Sequence, residues 1–160
     1  MIKLKPAEIQ DFDDYYDIRC GASDLYWMGY EKEPDRTMIQ QIFLERLGIR
    51  RFSLPGDKRI YMITDDGANV GFIQFSLSEE GLEFGISVKD EQRGKGYGSE
   101  GMKQAAALAR EFSDRCFAHI RDDNVASQKA LMGAGLKPTN EVEMKSFPKV
   151  GMIRYRKYIL

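Results

Sequence analysis

Between Arg59 and Val88 the chain carries three β-like runs joined only by short turns: Arg59–Thr64, Val70–Leu77 and Leu82–Val88. Asp65-Asp66-Gly67 separates the first two and Glu79-Glu80-Gly81 the last two, and both are turn sequences. Parallel strands need a crossover of a dozen residues or more, so connections this short dictate an antiparallel meander. That one feature excludes an all-helical bundle and an all-parallel α/β sheet.

The remainder is read around the meander. Residues 2–5 form a short strand stopped by Pro6, which opens a helix at its first turn. Ile9–Cys20 is an acidic helix with Ile9, Phe12, Tyr16 and Ile18 facing inwards. Gly21–Tyr30 reads as an aromatic loop, and Pro34–Leu47 as a second helix with Met38, Ile42, Phe43 and Leu47 at helical spacing. Pro55-Gly56-Asp57 marks a turn. Beyond the meander, Gly98–Phe112 is an alanine-rich helix and Cys116–Ile120 a short strand. Val125–Ala134 is a helix closed by Gly135, Leu136 begins a strand, and Ile153–Ile159 is another. The expected class is α+β, a mixed and largely antiparallel central sheet flanked by about four helices, with residues 1–160 as one domain.

Charge and cysteine content narrow the partners. Lysine and arginine number 24 against 25 acidic residues, so no basic excess points to nucleic acid. No apolar run is long enough for a bilayer, and Met1–Pro6 is too polar for a signal sequence; a cytoplasmic protein is expected. Cys20 and Cys116 lie far apart and outside any CxxC, which reads as free thiols. A single histidine, His119, with dispersed cysteines argues against zinc and against a Ser-His-Asp triad; His119 reads as a packed or rim residue.

The segment richest in chemistry is Gln92-Arg93-Gly94-Lys95-Gly96-Tyr97-Gly98, between a strand and a helix start. Glycines at alternate positions let backbone N–H groups converge, the helix adds its own free N–H groups and dipole, and Arg93 and Lys95 add charge. The result is a cradle for a pyrophosphate. A flexible surface loop is the plain alternative. Gly96–Gly101 also satisfies G-x-G-x-x-G, with Asp122 near the place of a ribose-binding acid. A dinucleotide fingerprint, however, belongs directly after the first strand of a parallel βαβ unit, and here it follows a meander.

Arg93, Gly96 and Gly98 form R-x-x-G-x-G, which resembles the acetyl-CoA signature of the GNAT acetyltransferase superfamily. Glu83-Phe84-Gly85-Ile86-Ser87-Val88 resembles the strand that leads into that loop, and Asp123–Leu131, ending at Gly135-Leu136, resembles the second cofactor-binding element. Asn-x-x-Ser before Gly-Leu is most similar to the RimJ/RimL-like branch. The resemblance implies an N-acetyltransferase that uses acetyl-CoA as cosubstrate, needs no metal, and acetylates a primary amine by direct transfer in a ternary complex. The acceptor would be a small molecule or a protein N-terminus, with no nucleic-acid or membrane partner, and the protein a monomer or homodimer. A non-catalytic acyl-CoA-binding regulator and a dinucleotide oxidoreductase are the alternatives.

The same resemblance implies individual roles. Backbone amides of Arg93, Gly94, Lys95, Gly96, Tyr97 and Gly98 would hold the pyrophosphate, while Ile86 and Val88 pair with the pantetheine arm. Asn124 would contact that arm, or else cap the helix that follows. Glu83 would be the general base, or a solvated strand residue. Many relatives carry a tyrosine acid where this chain has Leu131, so Ser127 stands as the substitute acid, or as an ordinary first-turn serine. Lys129 and Arg121 would meet the cofactor's 3′-phosphate. Tyr26, Trp27 and Tyr30, among Asp24, Glu31 and Glu33, would form an acidic aromatic mouth for a cationic amine, or would staple the two helices together.

Overall fold

A computed structural model describes all 160 residues. Seven strands form one sheet: β1 (Ile2–Pro6), β2 (Lys58–Asp65), β3 (Ala68–Ser78), β4 (Gly81–Val88), β5 (Cys116–Arg121), β6 (Lys137–Phe147) and β7 (Gly151–Ile159). Their spatial order is β1-β2-β3-β4-β5-β7-β6. Every neighbouring pair is antiparallel except β4 and β5. The helices are α1 (Phe12–Arg19), α2 (Ala22–Met28), α3 (Arg36–Glu45), α4 (Tyr97–Phe112) and α5 (Val125–Gly133).

The meander forms as its turns demand. Asp65 pairs with Ala68 across Asp66-Gly67, whose φ values of 47° and 85° are those of a tight I′ hairpin. β2 is buried along Ile60–Thr64, so the strand is covered on both faces. Alternation divides its side chains: Tyr61 and Ile63 join the core beneath α4 and α5, whereas Ile60 and Met62 join the core beneath α1 and α3. Small residues bring α4 close to the sheet. A Cβ added at Gly101 would stand 2.9 Å from the Ile63 side chain.

Four readings of the N-terminal third need correction. Pro6 ends β1 in register with Tyr61 and opens no helix; on an edge strand its missing N–H costs no ladder bond. Ile9 is 66 % exposed in a short 3-10 turn, and Tyr15 takes the inner position instead, fully buried beside Phe12 and Ile18. Residues 22–28 are helical rather than loop, which makes five helices. So short a helix is held by tertiary contacts, here those of buried Asp24, and not by its own propensity. Farther along, α3 begins at Arg36 because Asp35 caps it, accepting the Met38 N–H at 2.9 Å, and Ile39 rather than exposed Met38 faces the core. The end of α5 fits the sequence: Gly135 donates to Met132 and Leu136 to Leu131, both at 3.0 Å, a Schellman closure.

Phe43 is the keystone of the α1–α3 core. It is fully buried, with ring centroids 5.5 Å from Phe12 and 5.0 Å from Tyr15. Phe43→Ala is expected to destabilise the protein by about 3–5 kcal/mol through lost transfer energy and a residual cavity, measured by urea denaturation. A loss below about 1 kcal/mol would show that this core collapses freely around the gap.

Candidate functional site

The ladder between β4 and β5 holds for two pairs only, Leu82 with Cys116 and Glu83 with Phe117. Beyond them β4 pairs only with β3, and β5 only with β7. The sheet therefore opens between two neighbouring strands. Leu82 donates to Arg115 on the β5 side and Lys89 to Val70 on the β3 side, so the backbone groups of even-numbered residues turn into the opening. Ile86 and Val88 thus present main-chain N–H and C=O groups there without a β5 partner.

At the end of β4 a 3-10 turn, Asp90–Gln92, leads into the glycine loop and α4. The backbone N–H groups from Gly94 to Ser99 donate to no acceptor in the chain, and the first helical bond runs from Glu100 to Gly96 at 3.0 Å. Gly94 and Gly96 adopt φ values of 77° and 86°, and a Cβ added at either would meet nothing within 4 Å. The amides thus line an open concavity at the positive end of a 16-residue helix. The Arg93 amide, expected in the cradle, is taken by the 3-10 turn and donates to the Asp90 carbonyl at 3.2 Å. Arg93 and Lys95 flank the concavity with exposed side chains, Arg93 3.7 Å from Asp90 and Lys95 bonded to Gln92 at 3.0 Å. Tyr97 lends only its amide, because its hydroxyl donates to Asp65 at 2.7 Å. That bond raises the Tyr97 hydroxyl above its ordinary pKa and lowers the Asp65 carboxyl.

Glu83 stands where the two strands part. Its carboxylate lies 3.3 Å from Nδ1 of His119, whose ring packs edge-on against Phe117 at 5.6 Å. Sequence reasoning left His119 out of the site; only the parallel pairing of β4 with β5 brings it to Glu83, although its alternation with Phe117 on β5 was a readable signal. Asn124 caps α5, accepting the Ser127 N–H at 3.2 Å. The Ser127 hydroxyl makes no hydrogen bond within the chain, and Leu131 is fully buried. Lys129 is exposed on α5. Arg121 is 5 % exposed, bonded to both carboxylate oxygens of Asp123 at 3.0 and 2.9 Å, so the expected phosphate contact does not hold for it.

The aromatic trio divides. The Arg121 guanidinium lies 5.1 Å from the ring centroid of Tyr26 and 5.0 Å from that of Trp27, so an internal cation already occupies those two faces. Asp24 is no rim residue: it is buried, accepts a hydrogen bond from Ser87 on β4 and stands 3.3 Å from Arg19. Tyr30 accepts from Arg19 at 3.1 Å and also lines a groove of about 500 Å³ with Met28, Gly29, Met38 and Phe147. Glu31, Glu33 and Asp35 border that groove. Phe147, the last residue of β6, and Pro148 in the turn after it had no sequence signal because only the fold brings them beside α2. Asp122 is engaged by Arg156 at 3.1 Å, and the strands before the loop are antiparallel, so a dinucleotide fingerprint does not describe this site. No group of three His, Cys, Asp or Glu side chains is arranged to hold a metal ion.

The family model described as "Acetyltransferase (GNAT) domain" matches residues 2–137. Among solved structures, spermidine N-acetyltransferase from Vibrio cholerae, in complex with CoA and spermine, has a TM-score of 0.83 at 12 % identity, covering 99 % of this chain and 94 % of its own. The protein yncA of Salmonella typhimurium with acetyl-CoA has a TM-score of 0.78 at 16 % identity, covering 99 % and 92 %. Aminoglycoside acetyltransferase AAC(6')-Ib with coenzyme A gives 0.71 at 15 % identity, covering 98 % and 94 %. At these identities the likeness is one of fold. No curated protein matches the sequence.

Asp24 gives the site a pH signature. Burial pushes its carboxyl above the ordinary 3.8, against the opposing pull of Ser87 and Arg19. For an acid with a raised folded-state pKa, the stability of the protonated form is present below the unfolded value and is lost as pH rises through the folded value. Asp24→Asn abolishes that titration. The melting-temperature advantage of the natural protein over the variant is therefore expected to shrink as pH rises from 3.8 towards neutrality, read by calorimetry at matched ionic strength. A widening advantage over that range would contradict the direction of the shift.

Proposed function

Because the chain belongs to the GNAT acetyltransferase family, we propose that it acts as an N-acetyltransferase, transferring acetyl from acetyl-CoA to a primary amine within a ternary complex. Residues 1–160 would act as one catalytic domain, with closest kinship to the RimJ/RimL-like branch. The observation that carries this reading is the alignment of two unpaired backbone surfaces. The amides of Gly94–Ser99 stand directly after the strand whose Ile86 and Val88 face the opening. A ligand with a pyrophosphate joined to a linear amide-bearing arm fits both at once, and a free phosphate or a flat nucleotide fits only the first.

Acetyl-CoA supplies a thioester whose carbonyl carbon accepts the amine nitrogen and whose thiolate departs. The chain's part is positioning and proton transfer. N–H groups of β4 facing the opening polarise a carbonyl placed there. Glu83, 43 % exposed at the head of the opening, takes the proton from the acceptor's ammonium, directly or through one water. His119 holds that carboxylate from one side and acts as a positioning residue. Ser127, with its hydroxyl unengaged, returns a proton to the departing sulfur. The acceptor would enter from the α2 side, where Glu31, Glu33 and Asp35 outnumber Lys32 and leave a net negative rim for a cation. Small-molecule amines suit that mouth; the Vibrio cholerae relative binds spermine.

Two variants test the assignment. Gly96→Val places a branched residue at φ 86° and fills the cradle, so acetyl-CoA affinity should fall roughly 100-fold, as for the loss of two charge-assisted hydrogen bonds. Calorimetric titration reads the effect, and circular dichroism should show the fold retained. Normal affinity would remove the loop from the cofactor site.

Glu83→Gln keeps shape and hydrogen bonding but accepts no proton. Acetyl-CoA affinity should be unchanged while kcat falls about 100- to 10,000-fold, with the deficit shrinking at high pH as the amine arrives deprotonated. Thiol release with an amine panel measures it. Equal kcat at every pH would sink the base assignment, and acetyl-CoA binding with no release for any amine would favour a non-catalytic regulator.

A further inference from the structure

On the sheet face beneath α1 and α3, the ladder places Gln74 of β3 opposite Gly85 of β4, and Ser76 opposite Glu83. Side chains of such partners share a face. Ser87, two residues beyond Gly85, shows which face it is through its bond to Asp24 on α2. A Cβ added at Gly85 would meet nothing within 4 Å, so the floor next to Glu83 is bare and open. Gly85 has no positive φ, so its backbone does not demand glycine and its missing side chain leaves only room.

Two arginines reach this face, one from α1 and one from the end of α3. Arg19 is committed: it stands 3.3 Å from Asp24 and donates to the hydroxyls of Tyr15 and Tyr30 at 3.3 and 3.1 Å. Arg46 is not. It is half-buried, its backbone carbonyl accepts the Ile60 N–H at 3.0 Å, and its guanidinium makes one hydrogen bond, to the side-chain carbonyl of Gln74. Most of its donors are unused, and no carboxylate of the chain pairs with it. Burial lowers its pKa below the ordinary arginine value. A cation in that position costs stability unless a ligand brings the anion. Arg46 also borders a hollow of about 310 Å³ with Arg51 and Lys58, neither of them ion-paired. Of the two acids there, Asp57 is held by the Ser53 and Leu54 amides at 2.8 Å, which leaves Glu45 beside three cations.

Given the reading of this site as an amine acetyltransferase, we infer that the acceptor is an amino acid, its carboxylate held by Arg46 and its amine lying over Gly85 towards Glu83. Gln74 and Glu83 are diagonal neighbours across the β3–β4 ladder, about 7–8 Å apart at the backbone. An α-amino acid sets its nitrogen roughly 2.5 Å from its carboxylate carbon. One charge-assisted hydrogen bond of about 2.8 Å at each end spans that interval. The planar guanidinium fork matches a carboxylate, which a simple amine or a polyamine lacks. Such an amine would leave Arg46 unpaired and set a second cation beside it. The acidic rim by α2 and the basic hollow by Arg46 also orient the dipole of an entering zwitterion.

Calorimetric titration of the CoA-loaded protein with the common amino acids, each beside the amine that lacks its carboxylate, reads the contact without turnover. At least one amino acid is expected to bind about tenfold or more tighter than its amine. Arg46→Met keeps the length of the side chain and the backbone bond to Ile60 but carries no charge. It should erase that discrimination and leave acetyl-CoA affinity unchanged. In turnover, KM for the preferred amino acid should rise about 10- to 100-fold with kcat within roughly threefold. The melting temperature of Arg46→Met should match or exceed that of the natural protein, because an unpaired cation is removed. A merely structural arginine would instead lower the melting temperature and leave the discrimination intact, which overturns the inference. Gly85→Val, which the open floor accommodates, should abolish amino-acid binding with circular dichroism unchanged. Amines that bind as tightly as their amino acids, or normal binding in Gly85→Val, also overturn it. Amino-acid binding through Arg46 without acetyl transfer from acetyl-CoA would overturn the acetyltransferase reading alone. Acetylation confined to amines without a carboxylate would leave that reading standing and overturn this one.

Discussion

The arrangement on which everything else depends is the parallel pair β4–β5, which begins to zip and then stops. Two residue pairs are enough to hold the halves of the sheet together. Stopping there leaves Ile86 and Val88 with backbone groups that no strand satisfies, and such groups demand either water or a ligand. The opening also sets the position of each chemical group around it: Glu83 at its head, the glycine loop at the far end of β4, and Asn124 and Ser127 beyond the end of β5. A sheet closed along its full length would bury these same residues in an ordinary ladder.

Such an opening weakens the sheet unless its rims are held from outside. On the β4 side, β3 pairs along the whole strand from Gly81 to Val88. Ser87 is further tied to Asp24 on α2, which Arg19 on α1 faces in turn. On the β5 side, β7 pairs from Phe117 to Arg121, and Arg121 is clamped by Asp123 and by the rings of Tyr26 and Trp27. α2 thus touches both rims, through Asp24 on one and through its aromatic residues on the other. Its short, tertiary-dependent helix acts as a bridge over the gap, which explains a buried charged pair where an apolar contact would be less costly.

The same bridging redefines the aromatic cluster. A surface Trp-Tyr pair flanked by acids is chemically suited to a cation, and the structure supplies one from within. In the proposed reading, the groove by Tyr30 and Phe147, bordered by three carboxylates and Lys32, is the face left for an incoming amine. Cofactor and acceptor would then approach the β4 opening from different sides, as direct transfer between two bound substrates requires.

The sequence by itself determined the meander, the glycine loop and the caps of α5, because each depends on residues within a few positions of one another. Asp66-Gly67 can make little but a tight turn, and glycines at 94 and 96 admit backbone angles that side-chained residues resist. The identity of α2 was not legible, since the seven residues Ala22–Met28 are too few to hold a helix alone, and Asp24 ties them to Ser87 on β4 and Arg19 on α1. Nor was the pairing of His119 with Glu83, set by a parallel register between strands more than thirty residues apart. Local chemistry wrote the cradle into the chain, and long-range register alone decided which side chains stand around it.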